Sequence, residues 1–329
     1  FNRRPFINAM IKCFDNQDYP KDLIEWIIVD DGTDPIGDLV ENHPNVKYFY
    51  FKEKMSLGKK RNICHSKSSG DILVNMDDDD YYPSTRISHA VNVLQKHPSF
   101  LIAGCSILHM IFKHLPNEKQ MVQFGPYKQN HGTAATFAFR KELLQNTSYE
   151  ENAALAEEKH FLKNYQTPLF QLDPKQVILC FSHEHNTFDK KILLNSLGSQ
   201  TCNYSDKTID DFIKEPDLKD FYMNQVDELL ENYEPGLPKN KPDVIKQTEE
   251  LKQQREKMME TMRPILTFNG PDGKQIQMTR HQVLEKLNNH CKKGEVNYCL
   301  SMMNDMLSVI KTLQDKLNSP YVLLIKKIS

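Results

Sequence analysis

Apolar positions in the first 200 residues follow two alternating patterns. Short runs at 24–29, rich in β-branched residues, at 46–51 and at the apolar 72–74 read as strands. Between and after them apolar residues recur at helical spacing, as in Ile7, Met10, Ile11 and Phe14 and again in Ile87, Ala90, Val91 and Leu94. Strands alternating with helices predict an α/β fold with a mostly parallel sheet flanked by helices. Residues 100–112 and 177–181 extend the strand pattern, and 131–140 is a small-residue loop entering another strand.

Beyond about Gly198 the pattern changes. Residues 210–231 are acidic and helical in spacing, Pro235-Gly236-Leu237-Pro238 reads as a linker or sharp turn, and 244–262 is a charged helix with few apolar positions. A hairpin is expected around Asn269-Gly270-Pro271-Asp272-Gly273, then helices over 281–292 and 295–317. The last carries an apolar stripe of Leu300, Met303, Leu307, Ile310, Leu313 and Leu317, the mark of a core or protein contact. The expected organisation is an α/β domain over 1–205 and a mainly helical extension over 206–329, serving oligomerisation or acceptor docking.

Composition narrows the class. The 329 residues carry a net charge of −2, which argues against a nucleic-acid binder. No apolar run is long enough to span a bilayer, and no signal-peptide pattern stands at Phe1. The seven cysteines are odd in number, scattered and without CxxC spacing, which points to reduced thiols in the cytoplasm and to no zinc site.

The strand at 72–74 runs into Asp77-Asp78-Asp79-Asp80-Tyr81-Tyr82-Pro83. Four unpaired carboxylates cannot share a packed core. Their place is a loop at the carboxyl end of a strand, where α/β sheets bind ligands. In extended chain Asp77 and Asp79 point the same way, toward a hard divalent cation such as Mg²⁺ or Mn²⁺. The competing reading is a solvated acidic turn. An EF-hand is excluded, because Tyr82 stands where its loop needs glycine. A second acidic strand end, Asp30-Asp31-Gly32, and a basic helix start, Lys59-Lys60-Arg61, complete a set suited to a nucleoside diphosphate and a metal.

Taken in order, Asn2-Arg3, Tyr19-Pro20, Ile28-Val29-Asp30-Asp31-Gly32-Thr33-Asp34, Gly58-Lys59-Lys60-Arg61-Asn62, Gly70-Asp71-Ile72-Leu73 and Asp77-Asp78-Asp79-Asp80-Tyr81-Tyr82-Pro83 resemble the signature of family 2 inverting glycosyltransferases of GT-A fold. The resemblance covers roughly the first 200 residues. It implies a nucleotide-sugar donor, most often a UDP-sugar, a hydroxyl acceptor on a glycan or protein, and Mn²⁺ or Mg²⁺ as cofactor. Donor contacts are then expected from Asp30, Asp31, Lys59, Arg61, Asp77 and Asp78. Asp77-x-Asp79 becomes the DxD motif, with Asp79 the direct metal ligand. Glu158 of the Glu157-Glu158 pair matches the general base, and His183 or His185 would approach the metal or diphosphate. Two rival functions stay open. A sugar nucleotidyltransferase would want a Gly-rich, Arg-containing loop after its first strand, and none is visible. A non-catalytic scaffold of the same fold is the other.

Overall fold

The computed structural model describes residues 1–262, 266–269 and 275–278, with the single helical positions 282, 285, 288, 289, 292, 300, 303, 304 and 307 beyond them. The strands are β1 (Trp26–Asp30), β2 (Val46–Tyr50), β3 (Ile72–Val74), β4 (Ile102–Gly104), β5 (Leu108–Ile111), β6 (Met121–Phe124), β7 (Ala138–Arg140), β8 (Leu169–Gln171), β9 (Cys180–Phe181), β10 (Cys202–Tyr204), β11 (Leu266–Asn269) and β12 (Gln275–Met278). The α-helices are α1 (Ile7–Asp15), α2 (Gly37–Val40), α3 (Leu57–Lys67), α4 (Arg86–Lys96), α5 (Glu158–Phe161), α6 (Ile209–Phe212), α7 (Pro216–Asp220), α8 (Val226–Glu231) and α9 (Pro242–Met262).

The fold is α/β, as the alternation predicts, and the pairing is mixed. β1 and β2 run parallel, with Ile28 opposite Tyr48. The other two sheets of the first unit, β3-β7-β4-β8 and β10-β6-β5-β9, each combine antiparallel neighbours with one parallel pair. Antiparallel pairs arise because the chain returns through β6 and β7 without a crossover helix. Helices cover these sheets with faces the periodicity foretells: Ala90, Val91 and Leu94 of α4 are buried, as are Ile7 and Phe14 of α1. Asn2 does not cap α1; its side chain binds the loop after β1, at Thr33 Oγ1 (3.1 Å) and the Asp34 amide (3.1 Å).

Two compact units divide the chain at Glu249–Glu250, well past the boundary expected at residue 205. The reason is apolar burial. Phe212, Ile213, Leu218 and Tyr222 are buried in one cluster with Ala9, Cys13, Tyr81, Leu179 and Phe181. A π-helical turn, Phe221–Gln225, joins α7 to α8 and keeps Tyr222 stacked on Phe181 at 4.5 Å between centroids. Residues 206–249 are thus part of the first unit. Phe212→Ala is expected to destabilise it by about 3–5 kcal/mol, the usual cost of emptying a buried aromatic site. Urea unfolding checks this, and an unchanged midpoint would show that α6 adds nothing to the core.

In the second unit the expected hairpin is present, with β11 and β12 antiparallel and Phe268 opposite Ile276. Leu300, Met303 and Leu307 of the apolar stripe are helical and exposed. Its other members, Ile310, Leu313 and Leu317, lie outside the described residues, as does most of the expected helix over 281–292.

Candidate active site

A cavity of about 450 Å³ opens at the carboxyl ends of β1 and β3. Its wall brings together Asp30, Lys60, Arg61, the acidic loop 77–80, the pair Glu157-Glu158 and Lys241, and Asp31 lies just behind it, bound to Lys60.

At one end Asp31 is wholly buried. It accepts hydrogen bonds from the Met55 amide (2.7 Å) and the Lys60 ammonium (2.9 Å). Burial works against its charge, yet Lys60 and the Met55 amide hold its carboxyl below the usual range. Asp30 lines the cavity, but its carboxylate is already engaged. Its oxygens are taken by the Gly32 amide (2.9 Å), the Ile36 amide (3.0 Å) and the Tyr48 hydroxyl (2.8 Å), so it shapes the loop after β1.

Ser56 caps α3 by accepting from the Lys59 amide, and this fixes the phase of the basic cluster. Lys59 falls on the exposed side, outside the cavity wall, and Lys60 takes the inward place expected of it. The next inward side chain, Arg61, binds Glu157 (Nε to Oε1, 2.9 Å) and Asp77 (3.2 Å), and its guanidinium lies over the Tyr149 ring at 5.7 Å. α3 and the loop carrying the glutamates touch at Gly58, where a Cβ would stand 2.0 Å from the Glu150 carbonyl oxygen. Only glycine permits that approach, and the Gly58 amide donates to the Ala153 carbonyl at 2.8 Å.

The acidic loop is divided among several cations. Arg3 bridges Asp78 (3.0 Å) and Asp79 (3.2 Å), while Lys190 pairs with Asp80 (3.5 Å). Asp79 Oδ2 also meets His183 Nε2 at 3.2 Å and the Asn186 side-chain amide at 3.3 Å. Burial opposes ionisation of Asp79, but Arg3 and His183 hold its carboxyl well below the usual range. The opposite balance holds for Asp77, raised by burial and by neighbouring carboxylates despite Arg61. Burial lowers the His183 imidazole to about 4, so at neutral pH it carries a lone pair.

These positions decide the metal expectation. Among the described residues no three His, Cys, Asp or Glu side chains form a ready cage. Two donors do stand together. The 3.2 Å between Asp79 Oδ2 and His183 Nε2 matches adjacent ligands on one octahedral cation, about 3 Å apart for bonds near 2.1 Å. Mg²⁺ and Mn²⁺ usually take one or two carboxylates and complete their shell with phosphate oxygens and water, which Asp79 suits, whereas the imidazole of His183 is a donor preferred by softer cations. Asp77 faces Arg61 instead. His185 is directed elsewhere: its Nε2 lies 3.1 Å from the Leu230 carbonyl oxygen, so it anchors α8.

Glu157 is buried against Arg61, whereas Glu158 lines the cavity with no ion-pair partner among the described residues. Burial and the Glu157 charge push the Glu158 carboxyl up to about 7. Ala156, just before the pair, holds a left-handed backbone (φ 54°) that turns both glutamates off the preceding loop.

Residues 235–247, expected as linker and helix start, strap the cavity. Asn2 donates to the Pro235 carbonyl (2.8 Å), Lys54 pairs with Asp243 (2.5 Å) and the Ala154 amide donates to Gln247 (2.9 Å). Gly236 lies so close to His185 that a Cβ would stand 2.4 Å from its Nδ1. Lys241 donates to the His185 carbonyl at 2.9 Å, and burial lowers its ammonium to about 7.

Residues 1–147, which hold both acidic strand ends and the basic cluster, match the model of glycosyl transferase family 2. The N-terminal part of the chain is thus similar to family 2 glycosyltransferases. Glu157, Glu158, His183 and Lys241 lie beyond the matched residues. Over 104 residues, 30% of the chain, it is 28% identical to the poly(ribitol-phosphate) beta-N-acetylglucosaminyltransferase TarS of Staphylococcus aureus strain Mu50. The chain covers 18% of that curated relative's length. S. aureus TarS 1–349 in complex with UDP-GlcNAc aligns at TM-score 0.42 and 20% identity, over 56% of this chain and 57% of that one. A mannosyltransferase from Pyrobaculum calidifontis, in complex with GDP-Man and Mn²⁺, aligns at 0.41 and 19%, over 53% and 52%. No helix among the described residues is long and apolar enough to cross a membrane.

Proposed function

We propose that this glycosyltransferase domain moves a sugar from a nucleoside-diphosphate donor, UDP-linked, to an acceptor hydroxyl, with inversion and with a divalent metal. One observation carries the reading: a single cavity wall holds Lys60, Asp79 and the uncompensated Glu158, with Asp31 bound to Lys60 and His183 bound to Asp79 just behind it. The three groups answer the three demands of such a transfer. Asp31 accepts hydrogen bonds from the nucleoside, and Lys60 beside it holds the carboxylate oriented. Mg²⁺ or Mn²⁺ held by Asp79 and His183 would act as a Lewis acid toward the leaving diphosphate. Glu158 takes the proton of the attacking hydroxyl, and its raised pKa suits a base working near neutrality. Arg61 keeps Glu157 engaged, so the two adjacent carboxylates have different tasks. A single displacement inverts the anomeric carbon and needs no sugar bound to the enzyme. Cys13, Cys64, Cys105, Cys180 and Cys202 are all free, which suits a reducing, cytoplasmic setting.

TarS is named for N-acetylglucosamine transfer, which makes UDP-GlcNAc the first donor to test. The test is a donor screen that reads hydrolysis of each nucleotide sugar with and without Mn²⁺. Turnover of one UDP-sugar, stimulated by the metal, is the expected result. A folded protein that hydrolyses and transfers none would point to the scaffold role instead.

A further inference from the structure

Lys241 is 4% exposed and stands immediately before α9, some 160 residues from the acidic loop. Its ammonium has one hydrogen-bond partner among the described residues, the neutral carbonyl of His185 at 2.9 Å. The same oxygen receives Arg3 at 2.9 Å, so the two cations lie within twice that distance of each other. Arg3 already serves Asp78 and Asp79, and Lys241 forms no salt bridge with any described carboxylate. A buried ammonium whose one hydrogen bond is to a neutral oxygen is costly, and its two remaining N–H donors need acceptors. It lines the cavity that also holds Lys60 and the acidic loop.

We propose that Lys241 is a diphosphate-binding residue, brought by the strap to the donor's leaving group. The inference rests on the nucleotide-sugar reading given above and adds a contact that lies outside the residues matched by the family model. Lys60 is held by Asp31 at the nucleoside end, and Arg61 by Glu157 and Asp77 at the base end. Lys241 is the cavity-lining cation, among the described residues, with no carboxylate partner. A diphosphate oxygen entering beside Arg3 gives it one. The strap's ties to Lys54 and Ala154 hold the lysine in place across the cavity.

The experiment titrates the full chain with UDP, UMP and uridine in the presence of Mn²⁺, by calorimetry, for the wild type, Lys241→Gln and Lys241→Arg. Lys241→Gln should weaken UDP about 10-fold or more, as expected for loss of one charge-assisted hydrogen bond, and leave uridine unchanged. Lys241→Arg should recover most of the UDP affinity. In turnover, Lys241→Gln should raise KM for the donor. A role confined to pinning the strap predicts another pattern: a lower melting temperature, with UDP and uridine weakened together. Equal UDP affinity in the wild type and Lys241→Gln, or that joint weakening, overturns the inference while leaving the nucleotide-sugar reading intact. Failure of the wild type to bind UDP at all overturns the reading and the inference with it.

Discussion

Asp79→Asn is expected to fold, to keep binding uridine, and to lose sugar transfer by roughly 10³-fold. A metal ion typically supplies several kcal/mol of transition-state stabilisation, and each 1.36 kcal/mol is about tenfold in rate. Asparagine is the right probe because Asp79 is not a free loop carboxylate. Its Oδ2 meets Arg3, His183 and Asn186 within 3.3 Å. Alanine would remove the acceptor that all three share in a buried setting, at a cost of a few kcal/mol that would confuse unfolding with loss of chemistry. Asparagine keeps one oxygen and the shape but removes the charge a divalent cation needs. Calorimetry with Mn²⁺ and UDP should show weakened metal-dependent binding, and circular dichroism a native spectrum. Undiminished turnover by Asp79→Asn in a chelator would sink the metal assignment.

The parts of this site that were legible in the sequence are those within a few residues of a strand end or helix cap. Asp31, Asp77, Asp79 and Glu158 belong to local motifs; the last three line one cavity, and Asp31 binds Lys60 of its wall. Choosing among Lys59, Lys60 and Arg61 needed the helix phase. Neighbours on a helix point about 100° apart, so Ser56 as the cap puts Lys60 and Arg61 inward and leaves Lys59 in solvent. Asp30 and Asp31 differ for a similar reason: adjacent residues at a strand end point to opposite sides, so Asp30 binds the loop after β1 while Asp31 binds Lys60 and the Met55 amide. His183 and His185 repeat the problem in a loop, where no regular period tells which imidazole meets Asp79.

Residues 206–249 show a conflict between two signals. Their acidic composition suggests solvent, but Leu218, Tyr222, Val226 and Leu230 recur every four residues and all four are buried. The apolar stripe decides the packing and the charges occupy the opposite face. Lys241 had no local signal. Its side-chain hydrogen bond joins residues 56 positions apart, which only the folded chain brings together.

Glu158→Gln is expected to cut transfer by about 10² to 10⁴ while donor and metal binding persist, the usual effect of removing a positioned base. The amide keeps the shape of the carboxyl and cannot accept the hydroxyl proton. Wild-type kcat/KM should rise with pH and level off above about 7, because the base works in its ionised form and its carboxyl is raised to about 7. In Glu158→Gln that rise should vanish. Glu157→Gln should behave differently. The Gln amide oxygen can still accept from Arg61, so the cavity wall is kept, and the loss in rate should be far smaller. Removing the Glu157 charge also removes one of the causes that raise Glu158. The pH profile of Glu157→Gln should therefore move to lower pH and keep its shape. Proton NMR of the first-formed product reports the anomeric configuration independently. A retained configuration, or a Glu157→Gln variant as inactive as Glu158→Gln with a flat profile, would assign the base to the wrong member of the pair.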